Sequence, residues 1–408
     1  MTLVLPATPP ATAPEKIRVV ACVRHYLPGY RSGGPVRTIS NLVEHLGDEI
    51  DFRIVTSDRD ALAVAPYPNV AIDAWQPVGK ARVYYASPSS QTLRGMTAIL
   101  NAIDYDVLYL NSFFDSRFTI LPLLARRLGR LRDRPVVVAP RGEFSRGALG
   151  IRSWKKKPYI TLSRLLGLYA GVTWHASSEF EKNDIALVLG ESAAQAAVIA
   201  VNLPHKQGAG PSGIWQPRQP GEPLRVVFLS RVSPMKNLDY ALRVLAAANT
   251  PLTFAIYGVA DDQGYWARCQ ELIAQVPAHV RVTYHGELPH ERVAETLAGY
   301  DIFFLPTKGE NYGHAFAESL TQGTPVLISD RTPWRDLEAQ GAGWDLPLED
   351  SGRPFLDALY SLAAMSAADY QAMRQCTADY AASRLGTSEA MAANHALFAT
   401  AAKEARFA

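Results

Sequence analysis

The sequence predicts an α/β protein of two domains, each with a parallel β-sheet covered by helices on both faces. Short apolar runs alternate with stretches of helical spacing through both halves of the chain, and this alternation is typical of parallel sheets. A length of 408 residues fits two domains of ordinary size. Residues 206–222 are rich in Gly, Pro and Gln, which predicts an interdomain linker. The first domain is therefore predicted at residues 16–205 and the second at residues 223–385.

Buried strands are predicted in both halves from short runs of apolar residues. In the first half they lie at residues 16–23, 52–56, 82–85, 106–110, 135–139 and 172–175, and residues 198–201 end this half. In the second half they lie at residues 224–229, 253–257, 280–284, 301–305 and 325–328, and an Ala-rich helical segment follows at residues 354–403. Sheets of this type bind ligands in the loops at the carboxyl ends of their strands, so a functional site is expected there.

The loop after the first strand contains Gly33 and Gly34, and Pro35 then suits the first turn of a helix. This loop lacks the spacing G-x-G-x-x-G, which disfavours NAD as a cofactor. By itself, a loop with two glycines is equally typical of an ordinary turn between a strand and a helix.

The loop after the strand at residues 224–229 carries two cations, Arg231 and Lys236, beside a helix predicted from Leu238 with Asn237 as its cap. Backbone N–H groups at a helix opening attract negative charge, and charged side chains form the strongest hydrogen bonds to phosphate. The pattern therefore favours a diphosphate site, although Arg and Lys near a turn are also common on protein surfaces.

Two carboxylates follow the strand at residues 301–305. Glu310 lies in the loop and Glu318 lies about one turn inside the next helix, with seven residues between them. The two oxygens of Glu318 could accept hydrogen bonds from a diol. Between the two acids, the backbone N–H groups of Gly313 and His314 open the helix and favour a negative charge or an acceptor oxygen. A single Glu is normally a solvated surface residue, so the interpretation depends on the whole segment and on the Gly-Thr-Pro sequence that follows the helix.

The basic residues are unevenly distributed along the chain. Residues 1–205 contain 24 Lys and Arg against 17 Asp and Glu, whereas residues 206–408 contain 17 against 22. Much of the surplus lies in Arg126–Lys157, which has 11 basic residues. Such a patch is compatible with an anionic membrane surface, a lipid-diphosphate acceptor or nucleic acid, and a solvated helix face explains part of it. Nucleic acid is disfavoured, because basic and aromatic residues do not interleave and no known module is recognised.

Three features bear on the cellular location. The three cysteines (Cys22, Cys269 and Cys376) are far apart and lack metal spacing, which indicates a reducing compartment. No apolar run approaches the roughly 18 residues that would span a bilayer. Residues 1–15 lack a basic start and a sustained apolar stretch, which predicts a disordered tail rather than a signal peptide. We therefore expect a cytoplasmic protein, with peripheral attachment to the inner face of the membrane as a hypothesis from the basic patch.

The two pairs of site residues form the patterns E-x7-E, followed by Gly-x-Pro-Val, and R-x4-K. Both patterns resemble those of glycosyltransferase family 4, and the resemblance extends over nearly the whole chain. It implies the GT-B fold, in which two Rossmann-like domains face each other across a cleft. It also implies transfer of a sugar from a nucleotide-sugar donor to an acceptor hydroxyl with retained anomeric configuration, without a metal or another cofactor.

The resemblance assigns roles to the four charged residues. Arg231, Lys236 and Glu310 would be the catalytic groups, with the two cations stabilising the departing diphosphate. Glu318 would hold the ribose hydroxyls of the donor. Glu310 would reach the hydroxyls of the donor sugar, assisted by the two amides at the helix opening.

Other donor-binding positions follow from the same resemblance. The loop with Gly33 and Gly34 would lie near the donor phosphates and the acceptor, and the loop with Gly286 and Leu288 would lie against the nucleobase. Arg141 stands where many family members have a His that faces the donor sugar, so Arg141 and the nearby Glu143 are candidate cleft residues in this chain.

The block PRGEFSRGAL at residues 140–149, followed by KKK at residues 155–157, resembles a bacterial surface-polysaccharide subset of the family. It implies a role in lipopolysaccharide, capsule or exopolysaccharide assembly, with a lipid-linked or oligosaccharide acceptor on the side of the first domain. In GT-B enzymes the final helix usually crosses back to the first domain, which predicts that course for residues 386–408.

Three other functions are compatible with parts of this pattern. A glycosidase also uses two carboxylates, about 5–10 Å apart, but it has no diphosphate to bind at Arg231 and Lys236. A sugar-nucleotide epimerase of the same fold is disfavoured by the E-x7-E pattern. A non-catalytic nucleotide-binding protein of the same fold remains open, because binding residues can persist where the chemistry has been lost.

Overall fold

The computed structural model describes residues 16–151, 153–206, 215–219, 221–385 and 387–407, which form two α/β domains. The predicted tail at residues 1–15 and most of the predicted linker lie outside the described residues. Both sheets are mostly parallel and alternate with helices, so the predicted fold class is confirmed.

In the part of the chain that the structure describes, the first domain is built on eight strands. They are β1 (Ile17–Cys22), β2 (Ile50–Ser57), β3 (Trp75–Val78), β4 (Ala81–Ala86), β5 (Val107–Asn111), β6 (Val136–Ala139), β7 (Val172–Ala176) and β8 (Ala197–Ile199). The order in the sheet is β3-β4-β2-β1-β5-β6-β7-β8, and only β3 pairs antiparallel to its neighbour. The sequence did not predict β3, because this four-residue edge strand contains Pro77 and buries none of its side chains completely.

Within the described residues, seven α-helices cover the two faces of this sheet. They are α1 (Gly34–Leu46), α2 (Leu93–Asn101), α3 (Leu121–Arg127), α4 (Arg146–Gly150), α5 (Ser153–Leu165), α6 (Glu179–Leu189) and α7 (Glu191–Gln195), and a short π-helix lies at Ser116–Ile120. Buried apolar residues form one cluster on each face of the sheet, so the strands are enclosed from both sides.

The second domain contains a six-stranded sheet that is parallel throughout. Its strands are β9 (Leu224–Leu229), β10 (Leu252–Tyr257), β11 (Val280–Gly286), β12 (Ile302–Leu305), β13 (Val326–Ser329) and β14 (Gly343–Leu346). The order is β11-β10-β9-β12-β13-β14. The sequence did not predict β14, an edge strand of four residues that begins with a glycine. Because β9 lies beside β12, the loops that follow these two strands meet at one edge of the sheet.

Helices of the second half complete the fold. They are α8 (Leu238–Ala246), α9 (Gln263–Ile273), α10 (Val293–Ala298), α11 (His314–Thr321), α12 (Arg353–Ala364), α13 (Ala367–Arg384) and α14 (Thr387–Phe407), with a 3-10 turn at His290–Arg292. The Ala-rich segment is thus divided into three helices. Ser366 begins α13, and its hydroxyl accepts the backbone N–H of Asp369 at 3.1 Å.

The last helix, α14, packs into the first domain although it follows the second in sequence. Phe398 is fully buried and meets the rings of Phe52 and Tyr109 edge to face, with centroid distances of 6.0 and 5.1 Å. The amide of Asn394 donates to the carbonyl oxygen of Val201 at 2.8 Å. The chain therefore crosses between the domains twice. Among the described residues, no helix combines the length and apolar character needed to cross a bilayer.

Candidate active site

A cleft of about 310 Å³ lies between the two domains, at the carboxyl ends of strands from both sheets. Most residues selected from the sequence line it. They are Gly33, Gly34, Arg141, Arg231, Lys236, Leu288, Glu310, Gly313 and His314. Gly286 and Glu318 do not line the cleft. Loops separated by up to about 280 residues in sequence therefore converge on a single site.

The two cations lie in the loop after β9. Arg231 is exposed and faces the cleft, and Lys236 is half-buried and forms an ion pair with the carboxylate of Glu310. Asn237 precedes α8 in a left-handed conformation with φ of 62°, and its side chain donates to the carbonyl oxygen of Pro306 at 2.9 Å. Asn237 thus occupies the predicted cap position before Leu238, but its side chain makes no capping hydrogen bond and joins the β9 loop to the β12 loop instead.

The opening of α11 is shaped by a glycine. Gly313 has φ of 80°, and a Cβ atom there would lie 2.3 Å from the ring of Phe316, so no larger residue fits without a shift. The next residue, His314, is buried, and its Nε2 lies 2.9 Å from the hydroxyl of Thr38 in the first domain. Burial lowers the pKa of His314 to about 3, so its imidazole is neutral at physiological pH.

Glu318 lies behind the wall of the cleft rather than on it. One guanidinium nitrogen of Arg37, from α1 of the first domain, contacts both Glu318 oxygens at 2.6 and 2.7 Å. The Glu318 side chain is 16% exposed, and Arg37 itself lines the cleft. Burial raises the pKa of Glu318 and the positive charge of Arg37 opposes that rise.

The loop after β11 divides into a part in the cleft and a part behind it. Leu288 and Glu287 line the cleft, and the carboxylate of Glu287 pairs with Arg31 of the first domain at 3.4 Å. Gly286 ends the strand with φ of 74°, and its carbonyl oxygen accepts the N–H of Gly258 at 2.7 Å. The structure thus gives Gly286 a turn-forming position away from the cleft surface.

Arg141 is held firmly at the first-domain wall of the cleft. It adopts a left-handed backbone conformation with φ of 57°, which is uncommon outside glycine. Its guanidinium donates to the Asn111 Oδ1 at 2.9 and 3.1 Å, to the Asn202 Oδ1 at 2.8 Å, and to the hydroxyl of Tyr109. These partners fix the guanidinium plane, so Arg141 presents a positioned positive charge to the cleft.

Glu143, the second candidate cleft residue of the PRGE block, turns into the first domain instead. Its carboxylate accepts the hydroxyl of Ser112 at 2.7 Å and the N–H of Phe114 at 3.2 Å. Burial raises the pKa of Glu143. Its contacts stabilise the loop that carries Arg141, and it is not among the residues that line the cleft.

Sequence reasoning gave no role to several residues of the site, among them Arg37 and Asn202, which line the cleft, and Asn111, which holds Arg141. Asn111 ends β5, and Asn202 follows β8, so their positions at strand ends were an available signal. Arg37 lies in the first turns of α1, where an arginine is ordinarily solvated, and nothing in its local sequence indicates a partner in the other domain. Among the described residues, no group of three or more His, Cys, Asp and Glu side chains is placed to hold a metal ion.

Two facing α/β domains with a cleft between them define the GT-B class of proteins. Residues 213–345 match the model of the family described as glycosyl transferases group 1, and this range contains the two motifs that carry the predicted resemblance. Most of the second domain therefore matches this family, and the resemblance predicted from the sequence is confirmed.

Relatives and solved structures agree with this assignment. The chain is 25% identical over 376 residues to the GDP-mannose:cellobiosyl-diphosphopolyprenol alpha-mannosyltransferase of Xanthomonas campestris, covering 90% of this chain and 92% of that protein. A match to the D-inositol 3-phosphate glycosyltransferase of Nocardia farcinica is 30% identical, but spans only 27% of this chain and 26% of that protein.

Two solved structures share the fold over nearly the whole chain. Anabaena HepE in complex with UDP and glucose superposes with a TM-score of 0.66 at 13% identity, covering 94% of this chain and 99% of that chain. WaaG, a glycosyltransferase involved in lipopolysaccharide biosynthesis, superposes with a TM-score of 0.60 at 14% identity, covering 94% and 98%. At these identities the likeness establishes the fold.

Proposed function

We propose that this protein is a retaining, metal-independent glycosyltransferase that moves a sugar from a nucleotide-sugar donor to an acceptor hydroxyl. The observation that carries the proposal is the meeting of two cations, Arg231 and Lys236, with Glu310 and the opening of α11 on one wall of the interdomain cleft. Permanent positive charges beside a helix opening suit a diphosphate, and the neighbouring carboxylate suits sugar hydroxyls.

The chemistry assigned to these groups is electrostatic. The bond between the anomeric carbon and the diphosphate oxygen breaks, and both electrons of that bond leave with the diphosphate. Arg231 and Lys236 stabilise this developing negative charge, as preorganised cations do in other enzymes. The acceptor oxygen forms its bond to the anomeric carbon on the same face of the sugar, and its proton passes to the departing phosphate.

Glu310 has a second task besides binding the donor sugar. Its carboxylate pairs with Lys236, and the N–H of Asn311 donates to one of its oxygens at 3.2 Å. The acid therefore holds the ammonium group at the cleft surface before the diphosphate arrives. Glu310 keeps acceptor capacity for sugar hydroxyls, because a carboxylate offers about four lone-pair sites.

The acceptor is proposed to be a lipid-linked or oligosaccharide hydroxyl in lipopolysaccharide, capsule or exopolysaccharide assembly. The similar Xanthomonas protein is named for a diphosphopolyprenol acceptor, and WaaG is described as acting in lipopolysaccharide biosynthesis. The first domain, which carries Arg141 on its cleft wall, would receive such an acceptor.

A surface on α5 supports the proposal that the protein contacts an anionic membrane. Trp154 is 72% exposed and Leu165 is 80% exposed, and both lie on the face of α5 that points away from the core. The exposed Lys155 and Lys157 lie on opposite sides of this apolar face. An apolar stripe flanked by lysines is typical of a helix that lies in the interface of a bilayer. The basic stretch at residues 126–157 thus extends into an amphipathic surface.

The alternative is a nucleotide-binding protein of the same fold without transferase activity. Its binding properties would match those of the enzyme, because the same residues hold the nucleotide in both cases. The two differ only in whether the product forms.

The proposal is tested in two stages. A thermal-shift panel of UDP, GDP, ADP, dTDP and their sugars identifies the donor, since a ligand at about 100 times its Kd adds roughly 2.7 kcal/mol of apparent stability. The selected nucleotide-sugar is then incubated with membrane lipid extracts as acceptor source, with and without EDTA. We expect a glycolipid product with retained configuration in both conditions. Donor binding without product from any extract would favour the non-catalytic alternative. A product with inverted configuration would overturn the retaining mechanism, and loss of product with EDTA would overturn metal independence.

A further inference from the structure

Arg37 stands between the cleft and the carboxylate proposed to bind the donor ribose. Arg37 lines the cleft, whereas Glu318 does not. A single nitrogen of Arg37 lies within 2.7 Å of both Glu318 oxygens. A ribose that entered the cleft would therefore meet the guanidinium before it met the carboxylate.

The position of Arg37 is fixed by the start of α1. This helix begins directly after Gly33, with Pro35 in its first turn, and Arg37 and Thr38 point across the domain boundary. Thr38 bonds to His314 at 2.9 Å, so the helix is attached to the second domain at two adjacent residues.

A second arginine of the first domain forms an ion pair on the same side of the cleft. Arg31 pairs with Glu287 at 3.4 Å, next to Leu288 in the loop proposed to face the nucleobase. The first domain thus contacts two carboxylates of the second, Glu287 and Glu318, on the side of the cleft that is proposed to hold the nucleoside. The two ion pairs differ in burial, because the Glu318 side chain is 16% exposed and that of Glu287 is 31% exposed. Water therefore screens the Arg31 pair more strongly.

We propose that Arg37 gates the ribose subsite, so that the interdomain ion pair and the bound ribose exclude each other. This inference rests on the proposed function, since it takes Glu318 as the group that accepts the ribose hydroxyls. In the nucleotide-free protein Arg37 satisfies the buried carboxylate, which would otherwise carry an uncompensated charge. Donor binding replaces that ion pair with two hydroxyl hydrogen bonds, and departure of the nucleoside diphosphate allows it to form again.

The gate has a consequence for affinity. Part of the binding free energy of every ribonucleotide is used to break the Arg37–Glu318 pair, whereas a nucleotide without ribose hydroxyls leaves the pair intact. Removing the guanidinium should therefore increase the factor by which a ribonucleotide binds more tightly than its 2′,3′-dideoxy counterpart. A purely structural role for Arg37 would change both affinities together.

The experiment measures Kd for UDP and GDP and for their 2′,3′-dideoxy counterparts by calorimetry, in wild type and in Arg37→Met, Arg31→Met and Glu318→Ala. Methionine keeps the length of the arginine stem without its charge. We expect the ratio of dideoxy to ribo Kd to rise about tenfold or more in R37M, the scale of one charge-assisted hydrogen bond. In R31M, which removes the other interdomain ion pair, the ratio should stay at the wild-type value.

The outcomes separate the gate from the proposed function. An unchanged ratio of dideoxy to ribo Kd in R37M, together with a ratio near one in E318A, would overturn the gate. The proposed binding of ribose by Glu318 would still hold. A wild-type ratio that persists in E318A would remove that role and the gate with it. No binding of any of the four nucleotides to well-folded wild type would count against the gate and against UDP or GDP as the donor nucleotide. A ratio that rises equally in R31M would assign the effect to domain closure and overturn the specific role of Arg37.

Discussion

Lys236 and Glu310, one residue from each motif of the second domain, form an ion pair at the wall of the cleft. They are 74 residues apart in sequence and meet because β9 and β12 are neighbours in the sheet. The contact shows that the two motifs form one site. The cation proposed for the diphosphate is thus in direct contact with the acid proposed for the sugar, so we expect donor binding to rearrange both groups together.

Replacing Lys236 by Met should reduce sugar transfer by about a hundredfold or more, since removal of one preorganised electrostatic group typically costs that much. The affinity for nucleoside diphosphate should also fall, because one of the two cations is lost. Steady-state kinetics with the donor found in the panel would measure both effects. Lys308→Met is the matched control, because Lys308 is exposed in the adjacent loop and does not line the cleft. Equal losses in the two variants would contradict the assigned role.

Replacing Phe398 by Ala should destabilise the protein by about 3–5 kcal/mol, the usual cost of emptying a fully buried aromatic site. The reason is that Phe398 fills the first-domain core against Phe52 and Tyr109. Urea unfolding would measure the loss. Thr400→Ala, at an exposed position on the same helix, should change the free energy of unfolding by less than about 0.5 kcal/mol. A small effect for F398A would mean that α14 is not part of the first-domain core in solution.

Acidification below about pH 6.5 should destabilise the fold through histidines that are buried in the neutral form. Burial lowers the pKa of His314 to about 3 and that of His290 to about 4. Between those values and 6.5 the unfolded chain binds protons that the folded chain does not. Each such group therefore removes stability as the pH falls, by up to about 1.4 kcal/mol per pH unit.

The variant His314→Gln isolates this contribution, because its amide can still reach Thr38 but does not titrate. Unfolding free energies measured from pH 7 to pH 4.5 should fall less steeply in H314Q than in wild type. His279→Gln serves as the control, since His279 is exposed. An identical slope for H314Q and wild type would show that His314 accepts a proton in the folded state.

The sequence predicted the elements and motifs that depend on local pattern. The strand that precedes Arg231 and Lys236 was predicted at the observed residues, because five of its six residues are apolar and polar loops bound it. Glu310, Gly313 and His314 were predicted as one site for the same local reason, since strand, loop and helix opening are consecutive. Edge strands β3 and β14 were missed, because four residues with a proline or a glycine give too weak a period.

Contacts across the domain boundary could not be predicted from local pattern. Arg37 and Glu318 are separated by 281 residues, and neither sequence neighbourhood contains a signal for the other. The ribose-binding role of Glu318 stays a prediction. Its carboxylate was expected to be open to the donor, but in the structure it is paired with Arg37. The same holds for Arg141, which was selected by its position while its partners Asn111 and Asn202 come from two other strand ends.

Replacing Trp154 and Leu165 by Ser in one variant should abolish binding to anionic vesicles if α5 contacts the membrane. Both side chains are more than 70% exposed, with values of 72% and 80%, and burying them in the lipid interface would supply roughly 1.5–3 kcal/mol each. Flotation with phosphatidylglycerol vesicles, compared with phosphatidylcholine vesicles, measures binding and its dependence on charge. Lys155→Glu with Lys157→Glu should weaken flotation on the anionic vesicles only.

The matched control for this surface is a pair of exposed apolar residues elsewhere in the first domain. Leu62 is 70% exposed and Val64 is 89% exposed, in a loop outside α5. The L62S/V64S variant should float as wild type does, because flotation is expected to depend on α5 and not on the overall hydrophobicity of the surface. Donor-nucleotide affinity should stay unchanged in all of these variants, since neither surface lines the cleft. Wild-type protein that stays in the unbound fraction with anionic vesicles, or a W154S/L165S protein that still floats, would exclude α5 as the membrane contact.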